Sequence, residues 1–247
     1  MLHVSSEIVA GGAWVIGMRW ERLLFAHWSM PVEALRHLIP DGLELDTFEG
    51  QAWLGIVPFR MARVGPAGLP LPGRLGNFGE INVRTYVRPT TPTNGPPGVW
   101  FLSLDAENPY VVAGGRAAFH LPYFRARIAI AEHGNTVDYR ARRTHAGAPI
   151  GHFHARYRPI GAAGHAAAGS LEEWLTARYA VYSADRRRSV FRGDIRHDPW
   201  RLAPAEWQLE TETLLSSLGL RRPDGPPILH HAEPVDVIAA WPRRLGR

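Results

Sequence analysis

The chemistry this sequence could perform is concentrated in two stretches. In the first, Glu80 to Arg88, Ile81, Val83, Thr85 and Val87 share one face while Glu80, Asn82, Arg84 and Tyr86 share the other. If the second face looks inward, it carries a carboxylate, an amide and a guanidinium in a row into a closed interior. A carboxyl group held there would have a raised pKa and could shuttle protons; an ion pair with Arg84 or a neighbouring arginine is the plainer use of Glu80. A guanidinium such as Arg84 suits a substrate carboxylate, which it can grip bidentately. In the second stretch, residues 99–130, two apolar runs flank a Gly114-Gly115-Arg116 turn and a His120-Leu121-Pro122-Tyr123 segment. Tyr123, following a proline of fixed φ, could act as a general acid or an oxyanion donor in a dry site. It could equally be a buried tyrosine with one satisfied hydrogen bond. His120 titrates near neutrality and could exchange protons, although a hydrogen-bonded structural histidine is the commoner case.

Other chemistries are poorly supported. His152 and His154 share a strand face, and His230-His231 lies close to Glu233, but a catalytic zinc site needs a third ligand and an open position that this pattern does not specify. No metal and no cofactor is expected. There is no phosphate loop, no Gly-x-Gly-x-x-Gly fingerprint and no Gly-x-Ser-x-Gly elbow. Cysteine is absent, which removes thiolate catalysis and disulfides. Lysine is absent as well, so all 28 residues counted as Lys+Arg are arginine. Imine catalysis needs a primary amine that can lose its proton, and a guanidinium cannot replace it.

The elements that must position these groups are mostly strands. Trp20 to Trp28 reads as a strand leading through Pro31 into a short helix stopped by Pro40-Asp41-Gly42. Ala52 to Met61 is a strand-like run, followed by a Pro/Gly-rich loop from Gly65 to Gly76 placed to cover a pocket. Segments from Phe124, Thr136 and His152 alternate in turn as an antiparallel meander. Ser170 to Glu173 is a capping box. Tyr179 to Ser183 and Ser189 to Arg196 form a hairpin, and Trp207 to Thr211 and Val235 to Trp241 are further strands. The fold class is α+β, mainly antiparallel β, a β-barrel or sandwich with a few packed helices.

At 247 residues the chain fits a single domain over 19–247 behind an N-terminal extension, 1–18. Its formal charge of +5 comes from scattered arginines rather than a basic stripe interleaved with aromatics, so no nucleic-acid partner is expected. The apolar run Ala10 to Gly17 is too short to span a membrane, which requires about 18 residues, and no basic leader precedes it. The expectation is a cytoplasmic protein with no membrane partner.

Three blocks, ALRHLIPDGLELD, NFGEINVRTYV and LDAENPYVVAGGRAAFHLPYF, resemble in order the uncharacterised bacterial family of the YqjF type, from about Arg19 to Trp241. More distantly, and only as far as Ile130, they are similar to acetoacetate decarboxylase. That second resemblance implies a closed, cone-like barrel with the site inside, a tendency to form homo-oligomers, and an active-site glutamate at Glu80. It places Arg116 at the arginine of a Gly-Arg pair and Arg22 near an entrance arginine. Either could bind substrate, or could brace Asp105 or Glu107. It also places Tyr123 and Phe124 where the decarboxylase has paired lysines, and Leu54 or Gly55 where it has a second pocket glutamate. The expectation is a small-molecule-binding barrel whose Schiff-base lysine is gone. It would act as an acid/base enzyme of lyase, dehydratase, cyclase or decarboxylase type on a carbonyl compound or oxo acid. The alternative is a non-catalytic sensor or carrier.

Overall fold

The computed structural model describes residues 14–66 and 69–246. In chain order the strands are β1 (Trp14–Glu21), β2 (Leu23–Met30), β3 (Leu43–Leu45), β4 (Ala52–Pro66), β5 (Phe78–Pro89), β6 (Gly98–Ala106), β7 (Tyr123–His133), β8 (Thr136–Arg143) and β9 (His152–Pro159), then β10 (Gly164–His165), β11 (Ala180–Ala184), β12 (Val190–His197), β13 (Arg201–Glu212), β14 (Ile228–Ala232), β15 (Val235–Ala240) and β16 (Arg243–Arg244). Five short helices join them: α1 (Val32–Arg36), α2 (Gly73–Gly76), α3 (Pro109–Ala118), α4 (Leu171–Thr176) and α5 (Leu214–Ser217).

The pairings close into two circuits that share β4, β5 and β6. One runs β4, β1, β15, β12, β11, β6, β5 and back to β4; the other runs β4, β2, β14, β13, β9, β8, β7, β6, β5. Only the contacts of β6 with β7 and with β11 are parallel within them. This is the α+β, mainly antiparallel closed architecture expected.

Because side chains alternate along a strand, the shared strands serve both interiors. Leu54, Ile56, Ile81 and Val83 join Trp28, Tyr139, Phe153 and Tyr157 in a filled core inside the second circuit. Val57, Phe59, Met61 and Phe78 point the other way, with Met18, Leu23, Phe25 and Leu104, into the first circuit. The reversal of side by one residue is what puts Glu80 in one compartment and Ile81 in the other.

Several elements differ from the sequence reading. The run Trp20 to Trp28 is two strands, because Arg22 takes a left-handed φ of 54° and interrupts the pairing along β4. The Gly114-Gly115-Arg116 turn is instead part of α3: Asn108 accepts from the amides of Tyr110 and Val111, and Pro109 sits in the first turn, so a strong N-terminal cap outweighs two glycines. The Gly65–Gly76 loop ends in α2, with residues 67–68 outside the described set. β14, carrying His230 and His231, was not legible as a strand. The meander β7–β8–β9, the Ser170 cap of α4 and the β11–β12 hairpin are as expected. Of the extension expected over 1–18, residues 1–13 lie outside the described set and 14–18 form the first part of β1. Among the described residues no helix is long and apolar enough to cross a membrane.

Candidate active site

The first circuit encloses a cavity of ≈ 640 Å³. Its wall is largely apolar, with Met18, Trp20, Phe25, Phe59, Met61 and Leu104 among the lining residues. Into it β5 projects Glu80, Asn82 and Arg84 in succession; the start of β7 adds Tyr123, the last residue of α4 adds Thr176, and the chain just past it adds Arg178. The exposed large hydrophobic side chains of the lining, Leu71, Leu75 and Tyr110, belong to the chain before α2, to α2 and to α3. Arg84 and Arg178 lie among buried neighbours such as Thr176, His197 and Trp200. The mouth is therefore at the α2–α3 side and the closed end beneath α4.

Near the mouth, the Tyr123 phenol donates to Glu80 Oε2 at 3.2 Å. Glu80 is 2% exposed, and its pKa is raised to about 8: burial is the largest cause, the Tyr123 hydrogen bond partly opposes it, and the Asp105 charge adds to it. At neutral pH the carboxyl is mostly protonated. Burial, with the neighbouring Glu80 charge, pushes the Tyr123 phenol well above its ordinary value. Asp105 itself is held from behind by Arg143 at 2.6 and 2.8 Å, a buried bidentate pair that the sequence did not reveal. The Tyr139 hydroxyl donates to the Glu80 carbonyl at 2.7 Å, fixing the backbone beneath the acid.

Tyr123 is positioned by α3. A Cβ on Gly115 would lie 2.3 Å from the Tyr123 ring, so the ring packs where only glycine leaves room. Arg116 Nη1 donates to the Tyr123 carbonyl at 2.7 Å. Phe119 and Leu121 both bond back to the Gly115 carbonyl, and His120 takes φ 54° at this reversal.

At the closed end, Arg84 Nη2 makes only long bonds, to the Tyr86 hydroxyl at 3.3 Å and the Leu175 carbonyl at 3.4 Å. Its guanidinium lies 5.0 Å from the Phe25 ring centroid. Tyr86 in turn meets His27 Nε2 at 2.7 Å, and burial, then the Arg84 charge, pushes the His27 pKa well down, so it is neutral. Gly55 separates His27 from Arg84 in the β2–β4–β5 row: its added Cβ would stand 3.0 Å from the His27 ring and 3.4 Å from the Arg84 stem. Of the two positions to which the decarboxylase resemblance assigns a second carboxylate, Gly55 is a glycine making room and Leu54 is in the other core. Arg178 pairs with Asp46 at 2.6 Å and lies 4.2 Å from the Trp174 ring centroid.

The structure brings Glu80, Tyr123 and Arg84 into one cavity. Arg116 lies behind Tyr123 rather than in the lining. Arg22 is on the outside, paired with Glu132 at 2.6 Å, and His120 packs against Phe191 at 4.5 Å. None of these three lines the cavity. Arg178 and His197, which do, carried no motif; His27 was recoverable from the alternation of Leu23, Phe25 and His27 in β2. Among the described residues no group of three His, Asp or Glu could hold a metal ion. His154 lies 3.3 Å from Asp138 on the outer sheet, and His230 keeps a buried Nδ1 without a partner.

The profile of the DUF2071 family, described as an uncharacterized conserved protein, matches residues 17–236. The uncharacterized protein YqjF of Bacillus subtilis (strain 168) is 40% identical over 236 residues, covering 96% of this chain and 94% of that protein. Among solved structures, the enduracididine biosynthesis enzyme MppR, complexed with the condensation product of pyruvate and imidazole 4-carboxaldehyde, superposes with a TM-score of 0.64 at 11% identity, over 98% of this chain and 92% of that one. Acetoacetate decarboxylase from Legionella pneumophila gives 0.58 at 15% identity, over 96% and 88%. An acetoacetate decarboxylase-like enzyme from Sphingomonas wittichii RW1 gives 0.60 at 12%, over 95% and 94%. At these identities the structural likeness is one of fold.

Proposed function

Since the chain belongs to the DUF2071 family and has an acetoacetate decarboxylase-like fold, we propose that it is a cytoplasmic enzyme that moves protons on a small carbonyl compound without forming an imine. The observation that carries this reading is the Glu80–Tyr123 pair: a neutral carboxyl, hydrogen-bonded at 3.2 Å, in the wall of an apolar cavity. Nucleophilic routes have little to draw on. The cavity hydroxyls are engaged elsewhere, with Ser183 donating to the Phe119 carbonyl at 2.8 Å and Thr176 to the Glu172 carbonyl at 2.6 Å. His197 is lowered by burial, and its Nδ1 lies 2.7 Å from the Asp198 carbonyl.

With a pKa of about 8, Glu80 has both protonation states within reach near neutrality. As carboxylate it takes a proton from the carbon beside the carbonyl. The electron pair of that C–H bond moves to give an enolate, its charge on the carbonyl oxygen. As acid it returns the proton to carbon or delivers it to oxygen. Tyr123 donates to the carboxylate that is present before the first step and regenerated after the second, and so keeps the ionised form accessible. Decarboxylation, dehydration and cyclisation of oxo compounds all pass through such an enol or enolate.

The test is exchange of α-protons for deuterium in a panel of ketones and oxo acids in D2O, followed by NMR. The wild-type protein should accelerate exchange of at least one, and Glu80→Gln should lose about 100-fold or more of that rate. A folded Glu80→Gln protein exchanging at the wild-type rate would remove the proposal. The apolar lining also favours a carrier or sensor, which would bind compounds from the same panel with no exchange in the wild type.

A further inference from the structure

Arg84 is a buried cation that no carboxylate among the described residues neutralises. It is 8% exposed, forms no ion pair among the described residues, and its Nε has no hydrogen-bond partner. Two more cavity-lining groups share the condition: Arg178 Nη2 and the Asn82 amide oxygen are buried and unpartnered. Asp46 offsets the charge of Arg178 but not that of Arg84. A guanidinium removed from water without a counter-charge is strongly unfavourable, and the usual resolution is an anion that belongs at the site. Arg84 Nε and Arg178 Nη2, two unpartnered guanidinium nitrogens of residues lining one cavity, have the donor chemistry for a carboxylate.

The spacing along β5 then constrains what the anion is attached to. Glu80 and Arg84 are four residues apart on one strand face, about 13 Å between Cα atoms at the usual rise. Arg84 is hydrogen-bonded at its tip to Tyr86 and Leu175. A group reacting at Glu80 and an anion seated on Arg84 are therefore separated by on the order of 10 Å. An extended chain advances about 1.2 Å per bond, so that gap corresponds to on the order of eight bonds, the span from a carboxylate oxygen to the terminal methyl of 7-oxooctanoate. Between the two ends the wall offers mostly hydrocarbon and aromatic rings.

We propose that the closed end of the cavity, formed by Arg84 and Arg178, is a carboxylate seat, and that the substrate is an elongated oxo acid. It enters carboxylate first, lays an apolar body along the cavity, and presents its carbonyl to Glu80 near the mouth. This rests on the cavity being the substrate site as proposed above, but the seat itself does not depend on proton transfer. Short α- and β-oxo acids cannot reach both ends at once.

Binding of 7-oxooctanoate, its methyl ester, acetoacetate and pyruvate, measured by calorimetry on wild-type and Glu80→Gln proteins, tests the seat apart from turnover. The acid should bind at least tenfold tighter than its ester and tenfold tighter than either short acid, in both proteins. Arg84→Gln should abolish the acid-over-ester preference while the ester still binds. Should that variant fail to fold, the acid-against-ester ratio on the unmodified protein decides alone. Equal affinities for acid and ester, tighter binding of the short acids, or no binding of 7-oxooctanoate would overturn the seat. An exchange-inactive protein that keeps the ratio would overturn the catalytic reading instead.

Discussion

At the scale of single residues, Glu80 links stability to pH. Its carboxyl moves from the ordinary value of 4.5 to about 8 in the fold, so between those pH values the folded chain holds a proton that the unfolded chain has lost. The stabilisation from this neutral acid is complete below about 4.5 and is lost as pH rises through about 8. Each pKa unit corresponds to about 1.4 kcal/mol, so the loss is on the order of a few kcal/mol. Urea midpoints measured between these limits should decline in the wild type more steeply than in Glu80→Gln, which keeps an amide of similar shape and carries no titration. Parallel curves would refute the assignment. Glu80 and Arg84 were legible because polar residues at every second place in an apolar run need an inward reason. Arg178 was not, since one arginine after a short helix has no distinguishing pattern until Asp46 and the cavity are brought beside it.

At the scale of elements, α3 decides where the phenol stands. Glycines in a helix cost about 1 kcal/mol each relative to alanine, which is why Gly114-Gly115 reads as a turn in the sequence. The two differ in the fold: a Cβ on Gly114 meets nothing within 4 Å, whereas one on Gly115 meets the Tyr123 ring at 2.3 Å. Gly114→Ala should therefore be neutral or stabilising by up to about 1 kcal/mol. Gly115→Ala should gain the same propensity and lose more to overpacking, about 1–3 kcal/mol, while displacing Tyr123 and slowing exchange. Thermal melts and exchange rates on both variants check this, and equal behaviour would show that the glycine is not what seats Tyr123. The meander and the hairpin were legible from alternation and turn residues alone. The helix was not, because its cap at Asn108 outweighs local composition.

At the scale of the whole molecule, three shared strands divide the interior into one filled core and one hollow. No alternation pattern in a single strand announces that division, because both faces of β4 are apolar; the two circuits appear only once the pairings are known. The hollow lies in a decarboxylase-like fold built from a sequence with no lysine. Borohydride added with a ketone should accordingly leave no reduced adduct on any internal peptide by mass spectrometry, and such an adduct would contradict imine-free chemistry. The enclosure also sets the acid: it is the removal of water by the complete strand circuit, more than any one neighbour, that keeps Glu80 neutral. Carbon-detected NMR titration of the Glu80 carboxyl tests this directly. The account predicts a midpoint near 8 that rises further in Tyr123→Phe, which loses the hydrogen bond favouring the ionised form. A midpoint near the ordinary 4.5 would contradict it.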